Sequence, residues 1–71
     1  MSRNLTERGE EMGFRAAREK SRMTQQQAAD ILKVQRTTVA MWETEKSLPR
    51  AELLPTIAKT YGCEIVDLFK K

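Results

Sequence analysis

The stretch Thr24–Glu43, TQQQAADILKVQRTTVAMWE, decides the fold. Thr24 followed by Gln27 is a T-x-x-Q capping box: the hydroxyl accepts the Gln27 backbone N–H, the Gln27 side chain reaches back, and a helix begins at Gln25. Ala28, Ile31 and Leu32 supply its apolar positions. Lys33 and Val34 then interrupt the pattern, which resumes at Val39 and Trp42. That is a short turn between two short helices. The second of the two would occupy about Arg36 to Thr44, burying Val39 and Trp42 while Arg36, Thr37, Ala40 and Met41 face elsewhere.

Upstream, Phe14 and Ala17 share one face of a helix running to about Ser21, with Arg15, Arg18, Glu19 and Lys20 around the rest. Asn4 and Glu7 form a possible capping pair for its start, but Gly9 and Gly13 each cost up to about 1 kcal/mol inside a helix. Residues 1–8 are therefore expected to be a flexible segment and 9–71 the folded domain. Downstream, Glu45 to Arg50 is a polar loop containing Pro49. Pro55 is tolerated only in a first turn, so a fourth helix starts near Glu52 to Leu54, and Gly62 stops it. Leu54, Ile57, Ala58 and Tyr61, spaced i, i+3, i+4, i+7, mark its packed side. A last short helix, Glu64 to Phe69, offers Ile65, Leu68 and Phe69. No hairpin signal or alternating run appears, so the fold class is all-α with five helices in one domain.

Size and composition limit what such a domain can do. A chain of 71 residues buries too little surface for both a core and an enclosed catalytic cavity. Its single cysteine, Cys63, permits no internal disulfide, which suits a reducing cytoplasm, and its apolar-flanked position makes it a packing residue. With no histidine, no cysteine pair and no Gly-rich phosphate loop, neither an enzyme nor a metal or cofactor site is expected. No apolar run reaches membrane-spanning or signal-peptide length, so the expectation is a cytoplasmic protein. The net charge of +3 permits a polyanionic partner. Arg15, Arg18, Lys20 and Arg22 crowd one segment, while Lys33, Arg36, Lys46 and Arg50 recur through the middle, as cations bordering a groove would.

The segment Thr24–Glu43 resembles the helix-turn-helix core of the lambda-repressor and Cro-like (XRE-type) family. The resemblance rests on the Thr-Gln opening, the small Ala29 where the two helices approach, Val34 and Val39 around the turn, and the Trp42-Glu43 pair that ends the third helix. It extends to Arg18 in the first helix and to PRAELLPTIAKTYGCEIVDLF, which fits the family's fourth and fifth helices. Three positions depart: Lys33 and Arg22 stand where the family usually has glycine, and Ala28 where it prefers leucine. Lys33 in a left-handed conformation would cost about 1–2 kcal/mol, and Met23, Ile31 or Trp42 would have to refill the volume missing at Ala28.

The resemblance implies a sequence-specific binder of double-stranded DNA whose third helix, about 36–44, enters the major groove with its N-terminal side chains aimed at base edges. Arg36 would pair with guanine, Gln35 with adenine, Thr37 would reach a base edge, and Ala40 and Met41 would touch thymine methyls. Gln25, Thr38, Thr44 and Lys46, with Arg15 or Arg22, would hold phosphates. It also implies a structural ion pair between Arg18 and Glu43. Ile65, Val66 and Phe69 expose more apolar surface than their own packing consumes, which suits a two-fold contact, with Leu68 turned inward. The expected protein is a bacterial or phage transcriptional regulator, a repressor or autoregulatory controller, bound as a homodimer to a palindromic or pseudo-palindromic operator without a small-molecule ligand. The competing reading is a protein-interaction module, an antitoxin or adaptor on the same fold. Arg36 and Thr37 weigh against it, since a chain without DNA function would be expected to carry acidic or bulky apolar residues there.

Overall fold

The computed structural model describes residues 13–69 of the chain. Four α-helices follow in order, α1 (Phe14–Lys20), α2 (Gln25–Leu32), α3 (Arg36–Glu43) and α4 (Leu54–Tyr61). A single 3-10 turn, Ala51–Leu53, leads into α4, and a 3-10 helix, Ile65–Phe69, ends the described chain. All elements among the described residues are helical. The fifth helical element is thus 3-10 in character, held at its start by the Asp67 carboxylate accepting from the Glu64 N–H at 3.0 Å.

Local chemistry sets the boundaries. Gly13 stands at the N-cap of α1 rather than inside it, with φ 157° and ψ −179°, a region open essentially to glycine. The helical cost expected at this position is therefore not incurred; Asn4, Glu7 and Gly9 lie outside the described residues. The capping box of α2 is complete: Thr24 Oγ1 accepts from Gln27 N at 3.0 Å and Thr24 N donates to Gln27 Oε1 at 2.9 Å. Pro55 falls in the first turn of α4, and Gly62 ends that helix in the left-handed region at φ 73°. α3 stops one residue short of Thr44, whose hydroxyl donates back to the Ala40 carbonyl at 3.1 Å. Among the described residues three non-glycine positions also take left-handed backbones: Arg22 (φ 64°), Lys33 (φ 61°) and Glu45 (φ 62°). Each costs about 1–2 kcal/mol relative to a relaxed residue, so both positions where the resemblance led one to expect glycine keep a left-handed backbone without one.

The core draws on every helix: Phe14 and Ala17 from α1, Ala28, Ala29 and Leu32 from α2, Val39 and Trp42 from α3, Ile57, Ala58 and Tyr61 from α4, and Leu68 from the terminal 3-10 helix. Ala28 and Ala29 are completely buried, which lets α2 lie close to both α3 and α4. Met23, Val34, Leu53, Leu54 and Cys63 pack around this cluster half-buried, so Leu54 lies at the margin and not in the centre. Ile31, expected on the apolar face, is 54% exposed. Ala28, Ala29 and Leu32 centre the buried face, and at about 100° per residue Ile31 lies about 110° away from that centre. Trp42 shares the core with Ala28 and Met23 packs against that core, whereas the exposed Ile31 stays outside it. Aromatic contacts tie the ends together: Phe14 meets Trp42 at 6.1 Å between centroids and Phe69 edge-on at 5.5 Å.

Candidate nucleic-acid interface

Burial of Val39 and Trp42 fixes which way α3 turns its remaining side chains. At about 100° per residue, Thr37, Met41 and Thr44 stand opposite the buried pair, and Arg36 lies on the flank that faces α2. Gln35, Arg36, Thr37, Met41, Thr44 and Lys46 are exposed, and Thr38 and Ala40 are half-buried. Gln35 holds the N-cap position in extended conformation without using its side chain as a cap, so its amide is turned to no helix N–H. The first backbone N–H groups of α2 and of α3 have no carbonyl four residues behind them inside the helix, so both helix starts present donors.

A polar network lies under this surface. Arg18 is 8% exposed; its Nε donates to Glu43 Oε2 at 2.5 Å, its Nη2 to Glu43 Oε1 at 3.1 Å and its Nη1 to the Met23 carbonyl at 2.8 Å. The Glu43 side chain is itself only 4% exposed. The hydrogen bond to Glu43 raises the Arg18 pKa further above the ordinary guanidinium value, against the opposing effect of burial, and keeps the charge fixed. Gln25 extends the network outward: its Nε2 donates to Glu43 Oε1 at 3.0 Å, and its Oε1 accepts from Arg36 Nη1 at 3.2 Å. One amide at the start of α2 therefore holds both ends of α3. Arg15, Arg18, Gln25, Ala40, Glu43 and Thr44 line a shallow open depression over this network.

The sequence suggests different jobs for Gln25 and Arg36, whereas the structure joins them by a hydrogen bond. The bond spans two helices, and its only trace in the sequence is that both residues stand at helix starts on either side of the turn. Arg15 pairs with Glu19 at 3.0 Å on the open surface of α1, and Gln26 donates to Asp30 at 2.9 Å on α2.

On the terminal 3-10 helix Ile65, Val66 and Phe69 are 39%, 62% and 44% exposed, while Leu68 is buried. Phe69 leans one edge on Phe14 and leaves the rest open. Cys63 is half-buried, and burial pushes the pKa of its thiol up. Among the described residues no group of three or more His, Cys, Asp or Glu side chains could hold a metal ion, and no helix is long and apolar enough to cross a membrane.

A family model described as helix-turn-helix matches residues 14–68, most of the chain, from the start of α1 into the terminal 3-10 helix. No curated protein and no solved structure matches.

Proposed function

We propose that this chain, which belongs to the lambda-repressor and Cro-like helix-turn-helix family of DNA-binding domains, is a transcriptional regulator that reads double-stranded DNA sequence through α3. The observation that carries the reading is the outward display of Gln35, Arg36, Thr37 and Met41 from a helix whose other face is locked into the core. The major groove, about 12 Å wide, admits one helix, and a helix clamped by a second that crosses the backbone enters with its first turn at the base edges. Arg36 would contact guanine O6 and N7, Gln35 adenine N6 and N7, Thr37 a base edge, and Ala40 and Met41 thymine methyls. Because Gln25 Oε1 accepts from Arg36, the guanidinium is oriented before DNA arrives. The second N–H of the Gln25 amide and the free N–H groups at the start of α2 are available to a phosphate. Thr38, Thr44 and Lys46, with Arg15 or Arg22, are the further backbone contacts.

One such module reads only a few base pairs, and Ile65, Val66 and Phe69 supply the surface for a two-fold partner. The regulator is accordingly a homodimer on a palindromic or pseudo-palindromic site, acting as a repressor or an autoregulatory controller in the cytoplasm. Selection from a random pool of duplex DNA tests this. Enrichment of one site with half-site centres about 10–10.5 base pairs apart, or a multiple of that, is the expected result. Absence of any enriched sequence would hand the fold to the competing reading, a protein-interaction module.

A further inference from the structure

Two basic residues bracket α2, and both hold left-handed backbones: Arg22 shortly before its start and Lys33 at its end. Arg22 lies on the same side of α2 as the free N–H groups of the helix start. Lys33 is at the opposite end, three residues before Arg36. Its backbone is fixed, because its own N–H bonds the Ala29 carbonyl and the next N–H, that of Val34, donates to the same carbonyl at 2.9 Å. The Lys33 side chain is exposed and has no ion-pair partner among the described residues. The acidic group nearest in sequence, Asp30, is engaged by Gln26 at 2.9 Å. An uncompensated cation is thus held at a strained position that glycine or asparagine would fill with less strain.

The length of α2 says what that cation can reach. From Gln25 to Lys33 the chain rises about 12 Å at roughly 1.5 Å per residue, which matches the width of the major groove, about 12 Å. When the start of α2 rests on the phosphates of one rim and Arg36 enters the groove, Lys33 arrives at the other rim. We propose that Lys33 contacts a phosphate of the strand opposite the one gripped by the start of α2, so that α2 spans the groove and is fastened at both ends. The inference rests on the DNA-reading function proposed above.

The test compares wild type with Lys33→Gly, Lys33→Asn and Lys33→Arg on the selected duplex and on an unrelated duplex, each titrated at several salt concentrations. Lys33→Gly and Lys33→Asn both suit the left-handed backbone, so folding is preserved and thermal unfolding serves as the check. Both should lose about 3- to 10-fold in affinity on either duplex, and the slope of log K against log salt should shrink by about 0.9 for each protomer bound. Lys33→Arg should restore affinity and slope. Unchanged slopes in the glycine and asparagine variants, with wild-type binding intact, would overturn the Lys33 contact alone. A wild-type chain that binds neither duplex would overturn the DNA-reading function and this contact with it.

Discussion

Two regions of this molecule reverse the ordinary distribution of polar and apolar side chains, and they do so in opposite senses. Beneath the start of α2, a guanidinium and a carboxylate, Arg18 and Glu43, are withdrawn from water and satisfied by each other, by the Met23 carbonyl and by Gln25. At the C-terminal end, Ile65, Val66 and Phe69 stay in water although Leu68 between them is buried. A small domain gains little from either arrangement taken alone. Replacing a buried ion pair by apolar groups is often neutral or stabilising, and exposed apolar clusters invite association. The difference teaches that the two regions do different physical work: the polar one fixes the geometry of a surface, and the apolar one leaves a surface unfinished.

The largest expected effect comes from breaking the polar end. Glu43→Ala leaves the Arg18 guanidinium buried without its carboxylate and should cost about 3–5 kcal/mol. Glu52→Ala, at an exposed position, should stay within about 0.5 kcal/mol. Urea unfolding of the two variants decides the matter, and similar midpoints would mean that the pair is not a structural anchor.

Next in size are the residues through which that anchor reaches the surface. Arg36→Ala should weaken binding to the selected site by about 1–3 kcal/mol and relax preference at one base pair. Gln25→Ala removes both the proposed phosphate contact and the acceptor held by Arg36, so it should weaken all sites and also blur that same base pair. The double variant should fall short of the sum by about 0.5 kcal/mol or more. Strict additivity in DNA titrations would show that the Gln25–Arg36 bond plays no part in reading.

The apolar end is probed by Val66→Glu, the most exposed of its three side chains. Operator binding should weaken by about 1–2 kcal/mol while helical circular dichroism is unchanged, and sedimentation should show more monomer. An unaltered protein-concentration dependence would remove the two-fold contact.

The smallest effect at neutral pH is expected in the core, at Tyr61. Its hydroxyl is buried with no hydrogen-bond partner among the described residues. Tyr61→Phe should therefore be neutral or slightly stabilising. Burial, reinforced by the nearby Glu43 charge, pushes the Tyr61 pKa up to about 12 from 10.0. The folded state thus holds this proton more tightly than the unfolded chain does. The associated stability is complete below pH 10 and is lost as the pH rises towards 12. Thermal unfolding across that window should fall less steeply in Tyr61→Phe than in wild type, and parallel curves would contradict the assignment.

The elements themselves were legible in the sequence because the signals for them are local. The Thr24–Gln27 box, Pro55 and Gly62 each act through atoms a few residues away, and each marks the helix boundary it specified. The left-handed turn at Lys33 was legible as a condition attached to the resemblance. What escaped required contacts across the fold. Nothing near Ile31 in sequence reveals that two neighbouring alanines set the buried face of α2. The bond between Gln25 and Arg36, and the unpartnered Tyr61 hydroxyl, depend on how three helices meet. At the candidate interface the sequence offers residue types; their mutual coupling, through the Gln25–Arg36 bond, is visible only in the fold.

The two fully buried alanines of α2 carry a mechanical consequence. They act as a spacer of fixed thickness between α2 and its neighbours, and α3 is a lever about 12 Å long resting on that spacer. A bulkier side chain at Ala29 that tipped α3 by about 10° would displace its far end by about 2 Å, well beyond the tolerance of a hydrogen bond. A single methyl group thus sets the tilt of α3 as well as the packing of the core.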